Sequence, residues 1–458
     1  MAEATARDCH NDAVEAAFEA ALDALFSCKP AAIAGRRLIS AVSGGPDSMC
    51  LAVLAADYAT RHRLDHRAII IDHGIRANSA AEAARVRLRL SGMGIPAEVI
   101  TVDAPAPETG IQAWARTARY AHLLQAARRD RAALLLGHHR DDQAETVMMR
   151  LLRSSGLAGL AAMRAVTVRE DVPLLRPLLG LDGGALRHFC MARGIVFETD
   201  PSNRDRRFER VRLRQWLAGE TAVTRRDLLR LSDAAARIDD MLVAAFRRHG
   251  MLPRPRPGGH MFLSAAALDL PDEILSRLLS HIVGQMTAAE HPPAQKALRR
   301  LAARLRAGSA STLGGARFTR HQEGLLVTAE DGRRPLRVPV AAGGCVIFAG
   351  RWRVTSPVAA IVRRLGASGS GADAPWRESR GWQDLPPLAR RSVPALETLD
   401  GTLRYPHLST DALSCTSPGE AVAEYLPHSL DREEHMMATS DLKQAAGGTT
   451  WPAAVKPV

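Results

Sequence analysis

Cysteine is sparse and scattered. Its six copies, Cys9, Cys28, Cys50, Cys190, Cys345 and Cys415, stand singly and none forms C-x-x-C, which removes support for a zinc ribbon, an iron–sulfur centre or a disulfide framework. No run of 18 apolar residues occurs, which argues against a membrane-spanning helix. The stretch Met1 to Asp12 carries acids and no apolar centre, so it does not read as a signal peptide, and the cytoplasm is the expected compartment. Aromatics are only 4% of the chain, but hydrophobic residues make up 46%. Core material is ample, and 458 residues are enough for two to four domains at roughly 150 each. Acids are also in short supply, at 49 against 61 Lys and Arg for a net charge of +12. That excess favours a polyanionic partner through counterion release.

What is present is organised around Ser43-Gly44-Gly45-Pro46-Asp47-Ser48. The apolar run Leu38 to Val42 before it reads as a strand, and Met49 to Ala59 after it reads as a helix. A strand-to-helix loop with two glycines and two hydroxyls suits an anion, because first-turn amides and the helix dipole both point at it. Neither a Walker A pattern nor G-x-G-x-x-G is present, and the loop has no lysine. Asp47 would repel phosphate unless a divalent cation stood between them, which implies Mg²⁺. On these six residues alone, a polar helix cap with Pro46 near the first position is an equal reading.

Further on, strands are expected at 66–72, 97–102 and 132–136. Helices are expected at 12–28, 79–93, 111–130 and 143–153, the second with Ser79 as N-cap and Glu82 closing a capping box. Strand and helix alternate, so the expected fold class is α/β, a parallel Rossmann-like sheet with helices on both faces and smaller helical or α+β domains behind it. Ligands bind such sheets beyond the strand carboxyl ends. Three polar clusters fall there: Ser43 to Ser48, Asp72 to Arg76, and His138 to Asp142. Asp47 with Asp141 or Asp142 would hold Mg²⁺ against a polyphosphate. His138 would donate to a phosphate or leaving group. His138, His139, Asp141 and Asp142 could alternatively cage a metal. Arg116 and Arg119 share a helix face beside Tyr120 and could bind a carboxylate or phosphate.

The loop 43–48 resembles the S-G-G-x-D-S loop of the N-type ATP pyrophosphatases. More narrowly, Asp72-His73-Gly74-Ile75-Arg76, Ala115 to Tyr120, Gly137 to Thr146 running on to Leu157, Leu174 to Leu179, and Glu198 to Asn203 resemble the tRNA(Ile)-lysidine synthase family in order and spacing. The resemblance covers residues 38 to 215. It implies an adenine nucleotide alpha hydrolase-like fold and ATP with Mg²⁺ on the rim. It also implies a tRNA(Ile) with a CAU anticodon whose wobble cytidine is adenylated and then attacked by free L-lysine. The implied nucleotide-binding residues are Ser43, Gly44, Gly45, Pro46, Asp47, Ser48, Asp72 and His73. The metal residues are Asp47 and Asp141, and the catalytic set is Asp47, Asp141, His138, Arg116 and Glu145. Of these, Asp141, Arg116 and Glu145 would place lysine and the intermediate. Another tRNA-modifying enzyme of this group, such as a 2-thiolase, fits less well without C-x-x-C. A non-catalytic nucleotide-dependent RNA-binding protein is the alternative from another class.

The expected domains are an N-terminal helix (1–36), the catalytic domain (37–218), a connecting helix and linker (219–259), a basic accessory domain (260–335), a small α+β domain (336–404) and a disordered tail (405–458). Arg204 to Arg214 reads as an RNA-phosphate surface. It carries Arg210-Val211-Arg212 where the family has an arginine-asparagine pair. On Gln295 to Arg306, Lys296, Arg300 and Arg304 line one face and Leu298, Leu301 and Leu305 the other. A homodimer is compatible with the sequence. Asp47→Asn is expected to abolish pyrophosphate release while leaving tRNA binding largely intact; full activity in that variant would refute the metal role.

Overall fold

The computed structural model describes residues 2–28, 37–76, 78–198, 209–219, 222–256, 258–287, 292–322, 324–330, 336–366, 380–404, 406–409 and 421–425. The first part of the arginine run, the Asp200 to Asn203 motif, most of the 366–374 loop and most of the tail lie outside the described residues. The chain divides into two compact units, one of residues 1–152, 161–237 and 432–458, the other of residues 153–160 and 238–431.

In the first unit, α1 (Ala2–Cys28) precedes β1 (Arg37–Val42), α2 (Pro46–His62), β2 (His66–Asp72), α3 (Ser79–Gly92), β3 (Ala97–Thr101), α4 (Ile111–Arg129), β4 (Ala132–Leu135) and α5 (Arg140–Leu152). After α6 (Leu157–Leu160), which belongs to the second unit, come β5 (Val166–Arg169), β6 (Val172–Leu175), α7 (Gly183–Ala192), α8 (Glu209–Gly219) and α9 (Ala222–Arg248), whose residues from Ile238 on belong to the second unit. The sheet order is β3-β2-β1-β4-β6-β5, and all pairs are parallel except β5 with β6. Successive side chains of a strand point to opposite faces. Leu38, Val42, Ala133 and Leu135 therefore pack on one side with Phe18, Leu22, Met49, Leu90 and Phe189. Ile39, Ile69, Ala132 and Leu134 pack on the other with Tyr120, Leu123 and Ala127 of α4. Both faces are covered, which explains why these strands read as unbroken apolar runs.

Two local expectations are corrected. Asn78, not Ser79, is the residue before α3, and no side chain caps it. Glu82 accepts instead from Arg76 Nη2 at 2.8 Å, so no capping box forms. The β5–β6 hairpin had no sequence signal, because its turn places Glu170 and Asp171 at φ 49 and 71 without a glycine.

In the second unit, β7 (Met261–Ser264), β8 (Ser311–Leu313), β9 (Ala316–His321) and β10 (Gly324–Ala329) form an antiparallel sheet. It shares a core with α10 (Asp272–Thr287) and α11 (Gln295–Arg306), in which Leu279, Leu298, Leu305, Phe318 and Val327 are buried. The α11 face carrying Lys296, Arg300 and Arg304 is exposed. A further core around Phe348, Trp352, Val362, Leu396 and Tyr425 joins two four-stranded sheets. The expectation of a structureless chain from 405 is corrected for two segments, since His407–Ser409 and Val422–Tyr425 are paired strands. Tyr425 explains the second: its ring meets Trp352 edge-on at 5.0 Å and its hydroxyl donates to Gln285 O at 3.2 Å. Such short strands carry too few residues for periodicity to show.

Phe18 is fully buried and meets Tyr58 edge-on at 6.5 Å. Phe18→Ala is expected to destabilise the protein by about 3–5 kcal/mol, read by urea unfolding; a loss below about 1 kcal/mol would show that α1 does not close this core face.

Candidate active site

Strand order reverses between β1 and its neighbours β2 and β4, so a crevice opens where the loops after β1 and β4 part. On one side stands the glycine loop. Ser48 Oγ accepts from the Ser43 amide at 3.2 Å and donates to Gly45 O at 3.0 Å, so the hydroxyls shape the loop from within. Gly44 has φ +87, and a Cβ there would meet Val86 Cγ2 at 2.7 Å; only glycine fits. Pro46 opens α2, and no side chain caps Gly45 before it. First-turn amides therefore remain available to an anion.

Across the crevice, α5 begins at Arg140, earlier than expected, and brings Asp141 and Asp142 into its first turn. His139 links the acids. Its Nε2 lies 3.6 Å from both Asp47 Oδ2 and Asp142 Oδ2, and its Nδ1 lies 3.6 Å from Asp141 Oδ2. The Asp141 amide donates to Nδ1 at 3.3 Å, so in the neutral ring the proton sits on Nε2, between Asp47 and Asp142. Asp141 Oδ2 also accepts from the Gly183 amide at 3.1 Å. A Cβ on Gly183 would come within 2.8 Å of the His139 ring, which makes this second glycine a steric requirement. Among the described residues no metal cage of three or more His, Cys, Asp or Glu forms, so the four-residue cage reading is set aside.

The acids differ in how well they are served. Burial works against ionised Asp142, but His139 and Arg210 overcome it and hold the carboxyl below its ordinary value. Asp142 Oδ2 accepts from the His139 amide at 3.1 Å and Oδ1 from Arg210 Nη2 at 2.7 Å. Glu145, one turn on, is 1% exposed and takes Arg210 Nε and Arg214 Nε, both at 2.6 Å. Stranding such a buried acid costs on the order of 3–5 kcal/mol, so these arginines are required by the fold and are more than an RNA-facing surface. Asp47 has no comparable donor, and burial, opposed by His139, raises its pKa. Asp141 Oδ1 takes no hydrogen bond and sees Arg225 Nη1 at 3.4 Å. Two under-served hard oxygen donors beside an anion-binding loop fit a Mg²⁺ ion.

The remaining expected residues have distinct settings. Asp72 is buried, and its Oδ1 accepts from the Gly74 amide at 3.0 Å, which shapes the turn after β2. His73 packs near Trp114 with ring centres 6.3 Å apart. Arg116 lies over the Tyr120 ring at 5.1 Å, with Arg169 at 5.0 Å from the same ring. Burial, with Arg176 next, pushes His138 down to about 3, so at neutral pH it can donate only as an uncharged imidazole. The roles of His139 as a link, Gly183 as a donor and Arg210 and Arg214 as counter-charges were not foreseen. Of these only the i, i+4 spacing of the two arginines on α8 was visible in advance.

A protein-family model described as a PP-loop domain covers residues 14–221. The tRNA(Ile)-lysidine synthase of Ruegeria pomeroyi is 38% identical over 366 residues, spanning 78% of this chain and 85% of the relative. The chain belongs to the tRNA(Ile)-lysidine synthase family. Family members from Novosphingobium aromaticivorans and Rhodopseudomonas palustris are 40% and 37% identical, covering 61% and 65% of this chain and 84% and 91% of their own. A solved U34-tRNA thiolase from Methanococcus maripaludis is 16% identical with a TM-score of 0.42 over 50% of this chain and 80% of its own, too distant to carry weight. As a PP-loop domain of this family, the first unit uses ATP. No helix among the described residues is long and apolar enough to cross a membrane.

The opposed shifts of the acids make a pH prediction. Asp142 is depressed, so its contribution to stability is present above its unfolded value near 3.8 and is lost as pH falls through the lower folded value. Asp47 is raised from 3.8, so ionising it weakens the fold as pH climbs from there to its folded value, and the penalty persists above it. Asp47→Asn is therefore expected to raise the Tm of the ligand-free protein at neutral pH, with the gain vanishing below about pH 3.8. A lower Tm at pH 7 would show that Asp47 is better served than its neighbours indicate.

Proposed function

We propose that the chain joins free L-lysine to C2 of the wobble cytidine of a tRNA(Ile) with a CAU anticodon, releasing AMP and pyrophosphate. The observation that carries this reading is the pairing, across one crevice, of a phosphate loop with a buried acid pair neutralised by two arginines. The loop 43–48 takes the ATP phosphates on its amides. The cytidine O2 attacks the α-phosphorus, the bond from that phosphorus to the bridging oxygen breaks, and pyrophosphate leaves. Asp47 and Asp141 would hold Mg²⁺, which would supply charge neutralisation for the polyphosphate; Asp142, engaged by the His139 amide and Arg210, is less available for this role. His138 contributes a neutral hydrogen bond, and Asp72 and His73 form the neighbouring rim.

The second step needs a zwitterion recognised at both ends. Asp142 and Glu145 attract the lysine ammonium, while Arg210 and Arg214 take its α-carboxylate, so each internal ion pair is exchanged for one with the substrate. The side-chain amine, once deprotonated, attacks C2 of the adenylated cytidine. The C2–O bond breaks and the oxygen departs with AMP. Arg116 supplies positive charge to the intermediate, and the exposed Lys296, Arg300 and Arg304 of the accessory domain contact tRNA phosphates. A homodimer would be read by sedimentation.

Incubation with ATP, Mg²⁺, labelled lysine and the tRNA is expected to yield one AMP per lysine incorporated. Intact ATP without incorporation would sink the enzyme reading. ATP cleavage that requires a sulfur donor would replace the lysine reading with that of a thiolase.

A further inference from the structure

We propose that Gln143 is a positioning residue for the reaction, its side chain fixing the first turn of α5 so that Asp141 and Asp142 meet His139 and Asp47; the proposal rests on the function read above. Gln143 follows Asp142 directly. Its Nε2 donates to Met163 O at 2.8 Å and its Oε1 accepts from the Met163 amide at 2.9 Å. One side chain therefore grips both backbone groups of a residue twenty positions on, reproducing the two bonds of a strand pair at a single point.

The gripped turn is not a relaxed one. Ala162, just before Met163, has φ +54, a left-handed conformation that a residue with a Cβ adopts only when its surroundings impose it. Its methyl packs on Ala144 and Val147 of α5 with Leu217 and Leu228. The clamp thus secures a strained turn against the helix that carries the acids.

The chain between the two ends of this clamp explains the need for it. Residues 153–160 leave the first unit and pack within the second. There Gly156 lies so close to Gln295 that a Cβ would fall 2.4 Å from its Oε1, and a cavity of about 100 Å³ is lined by Ser155 to Gly159 with Ile274, Ser276 and Leu298. The excursion departs after the last residue of α5 and the chain rejoins the first unit at Ala161, two residues before Met163, which is bonded to the first turn of the same helix. Gln143 ties the start of α5 to the residues by which the chain comes back from this excursion.

The test compares Gln143→Ala, Gln143→Glu and Gln143→Ala combined with Ala162→Gly, at a temperature where each is fully folded. Misplacing reacting groups by an ångström can cost roughly 100-fold, so Gln143→Ala is expected to lower kcat by roughly 10- to 100-fold with KM for ATP and for tRNA within about twofold. Gln143→Glu, which keeps the acceptor for the Met163 amide, is expected to fall between, and Ala162→Gly to restore part of kcat by relaxing the turn. Amides of 140–147 are expected to exchange with deuterium faster in Gln143→Ala. A wild-type kcat, a loss confined to KM, or unchanged exchange would overturn the proposal. Because the exchange measurement needs no turnover, it judges the clamp even if the wild-type chain formed no lysidine, an outcome that would sink the function instead.

Discussion

Two carboxylates buried side by side at the start of one helix impose the main constraint on the first unit. A helix N-terminus welcomes an anion, but Asp142 and Glu145 together exceed what a dipole can balance inside a protein. The compensation comes from far along the chain: Arg210 and Arg214 reach both acids from α8, and Arg225 of α9 reaches Asp141. The segment after the sheet is thereby obliged to fold back over α5. Leu217 and Leu228 close the contact with Ala144 and Val147, so charge pairing and apolar burial demand the same arrangement.

This arrangement also explains what was and was not legible in the sequence. The sheet was legible because burial on both faces leaves unbroken apolar runs such as Ile69 to Ile71, and because three of the four runs end in a polar cluster. Local chemistry misled where tertiary partners won: Glu82 met Arg76 and capped nothing, and Glu170-Asp171 made a tight turn without glycine. Within the site, residues on strand-end loops could be placed by topology alone. His139 could not be ranked above His138, because the two are adjacent and only the fold shows which ring turns toward the acids. Arg210 and Arg214 read as an RNA surface for a similar reason, since a sequence shows charge but not what the charge faces.

The departure at Arg210-Val211-Arg212 is instructive. A missing asparagine cast doubt on contacts at that point, yet Arg210 itself bonds to both Asp142 and Glu145 through two different nitrogens. A planar guanidinium can serve two carboxylates at once where an ammonium would serve as a single point charge.

The acids also divide into served and unserved. Asp142 and Glu145 have donors for their oxygens in the protein itself, whereas Asp47 is half-buried with the His139 ring at 3.6 Å, and Asp141 Oδ1 has an Arg225 nitrogen at 3.4 Å but no hydrogen bond. Had every carboxylate been satisfied internally, the crevice would be more stable and would have no reason to take a cation or a polyphosphate. Had none been, α5 could not begin where it does. Placing the deficit on Asp47, in the same six residues that present open amides to an anion, puts unmet negative charge directly beside unmet positive dipole. A ligand carrying both signs, such as a phosphate chain with its cation, would satisfy the two together.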